Sequence, residues 1–165
     1  MSKAPPEVRY TMLEYDRRRK VQQFLPYKEA GNVAKLQEIL LQREEITDRA
    51  VAAFFLGLVG GADAISTLER VLKSPGKYPN KWASEYVQHW VAIALGFHGK
   101  DTGIDYLEQL LKHPHAAMLI EARRNMCRAL HRIHTPRALE LLRIAAKDRD
   151  SHISQLAQQL LGKGK

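Results

Sequence analysis

The 165-residue chain carries a single cysteine, Cys127, so no internal disulfide framework can staple it, and a reducing compartment is its expected setting. Long apolar runs are missing too. The longest, Ala50 to Ala62, is interrupted by Gly57, Gly60 and Gly61 and is too short to cross a bilayer. The opening stretch, Met1 to Tyr10, is polar, holds two prolines and lacks the apolar core of a secretory signal. These absences predict a cytoplasmic protein with no membrane partner. No segment alternates polar and apolar residues with period two, which argues against a sheet. A glycine-rich phosphate loop, a nucleophile elbow and a metal-binding signature are likewise absent, so the sequence assigns no catalytic residue, no metal ligand and no cofactor.

Positive charge is plentiful. Lysine and arginine total 26 against 18 aspartates and glutamates, a net charge of +8, and the isoelectric point is near 9.7. Such an excess attracts anionic partners, whether nucleic acid or an acidic protein surface, and it also keeps a small protein in solution. Hydrophobic content of 45% and charged content of 27% are ordinary for a globular chain.

Three segments superimpose. Arg49 to Gly57, Gln88 to Gly96 and Met126 to His134 are each apolar and are each followed by a short turn. A second segment then follows: Ala62 to Lys73, Asp101 to Lys112 and Arg137 to Lys147. In the second segments Ile65, Ile104 and Leu139 recur three and seven residues on as Leu68 and Leu72, Leu107 and Leu111, and Leu142 and Ala146. That spacing makes one stripe of a 3.6-residue helix. In the first segments Ala52, Ala53 and Leu56 match Val91, Ala92 and Leu95, then Ala129, Leu130 and Ile133. Small residues there allow neighbouring helices to approach closely. Gly57 and Gly96 read as left-handed helix stops, and Asp101 and Thr135 as restarts.

The flanks extend the scheme. Met12 to Phe24 predicts a helix broken at Leu25-Pro26. Asn32 caps a second helix, and Ser151 caps a final one ending at Gly162. The expected architecture is all-α: a right-handed solenoid of about nine helices forming one domain over residues 1–165. Clear repeats fall at about 45–75, 81–113 and 117–148, with an N-terminal cap over 1–43 and a C-terminal cap helix over 151–162. No helix pair can bury its apolar face alone, and stacking the pairs makes one continuous core.

Ala52-Ala53-x-x-Leu56-Gly57 with Ala64-Ile65-x-x-Leu68, and Ala92-x-x-Leu95-Gly96 with Gly103-Ile104-x-x-Leu107, resemble the HEAT-like repeats of the phycobilin lyase type. The third unit follows more loosely, with His134 in place of glycine. The resemblance covers roughly residues 45–162 and implies a curved stack whose second helices line a concave, partner-binding face. The matching positions are core and turn residues, so they speak for architecture and not for function. Deoxyhypusine hydroxylases share such an architecture but hold iron through His-Glu dipeptides, and this chain has none. Alkylpurine DNA glycosylases use a basic, tryptophan-bearing concave face. Trp82, Trp90 and the charge permit that comparison, but no matching acid-and-tryptophan motif can be placed.

Candidate partner-binding residues fall into three groups. Lys73, Lys112 and Lys147 occupy one position of successive second helices, which stacking would turn into a basic ridge. A lysine near a helix C-terminus is also favoured by the helix dipole. Arg124, Arg128 and Arg132 recur at intervals of four on one helix face, with Arg123 beside them and Arg143 on the following helix. Like charges at that spacing repel, while arginine suits bidentate carboxylate or phosphate contacts. A solvated face explains the same pattern. Tyr78 and Trp82 lie in or beside the Ser74–Lys81 turn, where an aromatic could anchor a partner. His131 and His134 are three apart, but no second ligand pair is set by spacing, so surface and turn histidines are expected. The expected function is a non-enzymatic protein-interaction or scaffold module gripping an acidic protein surface. The alternative is nucleic-acid binding through the same basic face, with a DNA-glycosylase-like enzyme as a minor variant.

Overall fold

A computed structural model describes residues 4–76, 78 and 80–163. Their order is α1 (Pro6–Glu29), α2 (Val33–Gln42), α3 (Ile46–Val59), α4 (Ala62–Lys73), α5 (Lys81–Gly96), α6 (Ile104–Leu111), a 3-10 turn (Ala116–Met118), α7 (Ile120–Ile133), α8 (Pro136–Ala145) and α9 (Ser151–Lys163). No strand occurs among the described residues.

Several local signals act one step away from where the sequence suggested. Pro26 does not break α1, which runs on to Glu29 and turns at Gly31, where φ is 63°. Gly57 lies inside α3, and Gly96 is the last residue of α5. Neither has a positive φ. The left-handed stops come three residues later, at Gly60 (74°) and Gly99 (72°), while in the third repeat His134 itself takes φ 57°. Asn32 and Thr135 cap as expected, accepting from the amides of Lys35 (3.1 Å) and Ala138 (3.2 Å). Asn80 caps α5 in the same way, accepting from the amide of Ala83 at 3.1 Å. For α9, Asp150 and not Ser151 accepts from the amides of His152 and Ile153. Each cap satisfies an amide that the helix start leaves unpartnered.

In α6 the expected stripe of Ile104, Leu107 and Leu111 is buried, with Leu110 beside it. In α4 and α8 it is displaced by one residue: Ala64, Leu68 and Val71 are buried in α4. In α8 the buried set is Ala138, Leu141, Leu142 and Ala145. Ile65, Leu72, Leu139 and Ala146 sit at the stripe's margin, half-buried. A helical stripe more than ~100° wide tolerates either phase, and packing against the first helices selects this one.

The helices form two layers. In one, α3, α5, α7 and α9 pack closely in series. In the other, α2, α4, α6 and α8 are spread apart, with little direct contact between α4 and α6. A stack crowded on one side and splayed on the other bends toward the crowded side. The first helices therefore line the inside of the bend, which reverses the expectation that the second helices do. Glycines set the crowding. A Cβ on Gly57 would lie 2.7 Å from the Cα and Cβ of Ala94, and one on Gly96 would lie 2.6 Å from the Cβ of Ala129. Helix α5 is consequently covered almost all round, and twelve of its residues from Ala83 to Gly96 are buried.

Helix α1 lies against this inner layer, held by buried polar contacts as well as by Leu13 and Phe24. Tyr86 of α5 donates to the Glu14 carboxylate (2.9 Å), which pairs with Arg17 at 3.0 Å. The Arg17 guanidinium stacks over Trp90 at 4.8 Å. Lys20 meets the buried Asp48 of α3 at 3.0 Å. Burial pushes the Tyr86 hydroxyl well up, and the neighbouring Glu14 carboxylate adds to it.

Gly57→Ala distinguishes close approach from conformational freedom. Helix propensity alone favours alanine by about 1 kcal/mol, but the Ala94 backbone must move to admit the methyl. The variant is expected to lose about 1–3 kcal/mol in urea unfolding. Gly162→Ala, with open space around the added methyl, is expected to be neutral or slightly stabilising in the same measurement.

Candidate functional site

Along α7 the inner layer is open to solvent as a groove, faced by α1 at one end and by the end of α3 and the turn after α5 farther on. At one end it is lined by Arg17, Arg18, Val21 and Gln22 of α1, Phe54 of α3, and Glu121 and Asn125 of α7. Asn125 also lines the next stretch, together with Gly57, Leu58, Phe97, His98, Arg128 and Arg132. Phe97, His98 and Arg132 continue into a third stretch with Gly99 and His131. The floor is apolar. Phe54 stacks edge-on against Trp90 (5.4 Å between ring centres) and Phe97 (5.9 Å), and Leu58 stands 47% exposed. Arg128 and Arg132 are exposed on the α7 wall. Arg128 donates to Asn125 at 3.3 Å, and among the described residues neither arginine forms an ion pair within 4 Å. On the opposite side the His98 ring donates through Nε2 to the Gly57 carbonyl at 2.6 Å, which pins the turn after α5 onto α3.

The sequence candidates divide. Arg128 and Arg132 line the groove. Arg124, half-buried, is turned to Glu121 at 3.6 Å. Arg123 is buried and does not belong to the exposed arginine face. It donates to Asp148, beside the α8–α9 turn, and to the Leu111 carbonyl at 3.4 Å. Burial would raise the Asp148 carboxyl, but Arg123 and the Asp150 amide hold it below the usual carboxylate range. Arg143 is exposed and pairs with Glu140 at 3.3 Å.

Lys73, Lys112 and Lys147 are all exposed at the C-terminal ends of outer-layer helices. Lys112 is paired with Glu108 at 3.2 Å. Lys112 and Lys147 flank one hollow that holds none of Arg124, Arg128 and Arg132. The lysines and these three arginines therefore lie at different places on the solenoid, the first at the ends of outer-layer helices and the second along one side of α7. Tyr78 and Trp82 are half-buried against the core, with Arg49 over the first ring at 5.0 Å and Arg9 over the second at 4.4 Å. Contacts within the chain already cover both.

A second cluster went unread in the sequence. His89 of α5, His113 and His115 of the α6–α7 connection and Tyr10 of α1 bring their rings together, with neighbouring centres 5.4–6.1 Å apart. They line a hollow with Arg9, Lys112 and Glu85. The His115 amide donates to Nδ1 of His113 at 3.0 Å, so that ring is neutral. Burial lowers the His113 pKa, and His115 and Arg123 lower it further. Burial, with His113 beside it, holds His89 down to about 3. Among the described residues no group of three or more His, Cys, Asp or Glu side chains is placed to hold a metal ion. Cys127 is buried, and burial pushes its thiol up to about 12, which keeps it protonated and unreactive. No described helix is long and apolar enough to cross a membrane.

His89 makes stability depend on pH in a stated direction. Its folded pKa lies below the ordinary histidine value near 6.5, so the unfolded chain binds the extra proton, and stability falls as pH drops from about 6.5 toward 3. About 2 kcal/mol is expected to be lost from this group by pH 5. In urea unfolding at pH 7 and pH 5, His89→Gln should show a visibly flatter pH dependence than wild type. His113 retains a smaller slope of the same sign.

A family model described as HEAT repeats matches residues 80–162, from the cap of α5 to the end of α9. No curated protein matches the chain. HEAT repeats commonly mediate protein interactions or scaffolding and are generally not catalytic. The match speaks for the repeat and not for the phycobilin lyase branch of it. Two layers of antiparallel helices, glycine-set crowding on one side and a matched sequence over half its length place this chain in the HEAT repeat family.

Proposed function

We propose that the protein is a non-enzymatic binding module that holds a protein partner, through an acidic part of the partner's surface, in the groove along α7. The observation that carries this reading is the pairing of an apolar floor with two exposed arginines that form no ion pair among the described residues. Phe54, Leu58 and Phe97 would bury apolar groups of a partner, and Arg128 and Arg132 would meet its carboxylates. Phe54 and Phe97 also pack against the core, but Leu58 stands 47% exposed beside the two arginines. The cytoplasm, where a lone thiol stays reduced, is the setting proposed for it.

Nucleic-acid binding is the second reading, supported by the net charge of +8. It is the weaker one because the lysines and the groove arginines do not combine into one broad basic face of the kind a phosphate backbone needs.

A photoreactive phenylalanine at Leu58, with Ile144 on the outer layer as the control site, tests the proposal in extract of the native host. Protein adducts are expected from position 58, should be absent from position 144, and should be lost in the R128E/R132E double variant. Adducts from position 144 alone, or nuclease-sensitive adducts from position 58, would overturn it. Titration with nonspecific duplex DNA at rising salt gives a parallel reading. Micromolar, steeply salt-dependent binding supports nucleic acid, and no binding at low salt removes it.

A further inference from the structure

Resting on that reading of the groove, we propose a specific occupant: an extended acidic segment of about five residues, with carboxylates two residues apart and an apolar side chain beside them. The length follows from the wall. Glu121 and Arg132 of α7 are eleven positions apart, roughly 16 Å at 1.5 Å per residue, and an extended chain covers that distance in about five residues. Spacing follows from the arginines. Arg128 and Arg132 stand one turn apart, with about 6 Å of rise between them. Residues two apart on an extended chain are about 6.6 Å apart on the same side, so one carboxylate can meet each guanidinium.

Charge gives the sign. Of the residues lining the three stretches of the groove, the charged ones are Arg17, Arg18, Arg128, Arg132 and Glu121. Arg17 is committed to Glu14, and Glu121, at the α1 end, is answered by Arg124. Arg18 and the two α7 arginines are left to an incoming anion. The apolar requirement comes from Leu58 and Phe97, which sit between the His98 side and the α7 wall. A purely anionic ligand would leave those groups wet. A segment with alternating acidic and apolar residues satisfies both halves of the groove, and this separates it from a nucleic-acid strand.

The test uses the full chain and a labelled peptide alternating glutamate with leucine or phenylalanine, followed by fluorescence anisotropy. A peptide with lysine in place of each glutamate, and another with serine in place of each apolar residue, serve as comparisons. Saturable binding of the first peptide is expected, at least tenfold tighter than either comparison peptide. R128E/R132E should weaken it at least tenfold, and R128Q/R132Q by less. Leu58→Asp should weaken it severalfold, with the thermal transition of each variant confirming that it folds. Raising salt from 50 to 300 mM should weaken binding severalfold without abolishing it, because the apolar half is not screened.

Equal binding of the lysine peptide, unchanged affinity in R128E/R132E, or tighter binding of single-stranded RNA than of the peptide would overturn the proposal. Protein adducts at position 58 without any binding of the acidic peptide would overturn this inference alone and leave the broader reading standing. Absence of both would remove both.

Discussion

Backbone-to-backbone closeness along the inner layer is the constraint on which the rest of the structure depends. Gly57 meets Ala94, and Gly96 meets Ala129, at separations that leave no room for a further methyl. Because α3, α5 and α7 are drawn together there while α4 and α6 are not, the stack bends toward the first helices. The bend places Phe54, Leu58 and Phe97 on an inward surface, and α7 presents its arginines along the side of it. Interior packing is dense enough that one added methylene is felt, so these small residues act as spacers with a defined thickness. The same closeness buries α5 and makes it the axis around which the other helices are arranged.

Helix α1 is held by a different kind of interaction. Its inward side carries Glu14 and Arg17, both buried, and these are satisfied by each other, by the Tyr86 hydroxyl and by the Trp90 ring face. Buried charges of this sort are tolerated only when paired and hydrogen-bonded. Helix α1 covers part of the inner layer and stops short of the rest, and its edge becomes the second wall at one end of the groove. A helix whose inward side mixes Tyr10, Leu13 and Phe24 with Glu14 and Arg17 thus shapes the candidate site by what it leaves uncovered.

Basic character turns out to be several separate things. Arg123 is a buried strut between the α6 end and Asp148. Arg9 and Arg49 cover aromatic rings, while Arg137 bridges Asp105 and Glu108 between α6 and α8. The count of 26 lysines and arginines therefore overstates the cations free to meet a partner. Arg128 and Arg132 differ from these because they lie exposed beside apolar side chains.

Helix content and repeat order were legible from the sequence alone, because a 3.6-residue apolar period, small residues and capping side chains are local signals that survive any arrangement of the helices. The repeated second segments even marked Lys73, Lys112 and Lys147 as equivalent, and they are equivalently exposed. Four-residue spacing put Arg124, Arg128 and Arg132 on one helix face, where Arg128 and Arg132 are exposed and Arg124 is half-buried, but it could not reveal that Arg123 turns inward to Asp148, 25 residues away. Tertiary structure alone decided which layer is inside the bend, since that depends on how closely helices from different repeats approach. It also decided that Gly57 and Gly96 are spacers and not stops, and that His113 meets both His89 and Tyr10, from three separate segments. The adjacent phenylalanines Phe54 and Phe55 were the one unread hint of a groove. Adjacent helix positions face about 100° apart, and here Phe55 is buried while Phe54 is half-buried at the groove floor.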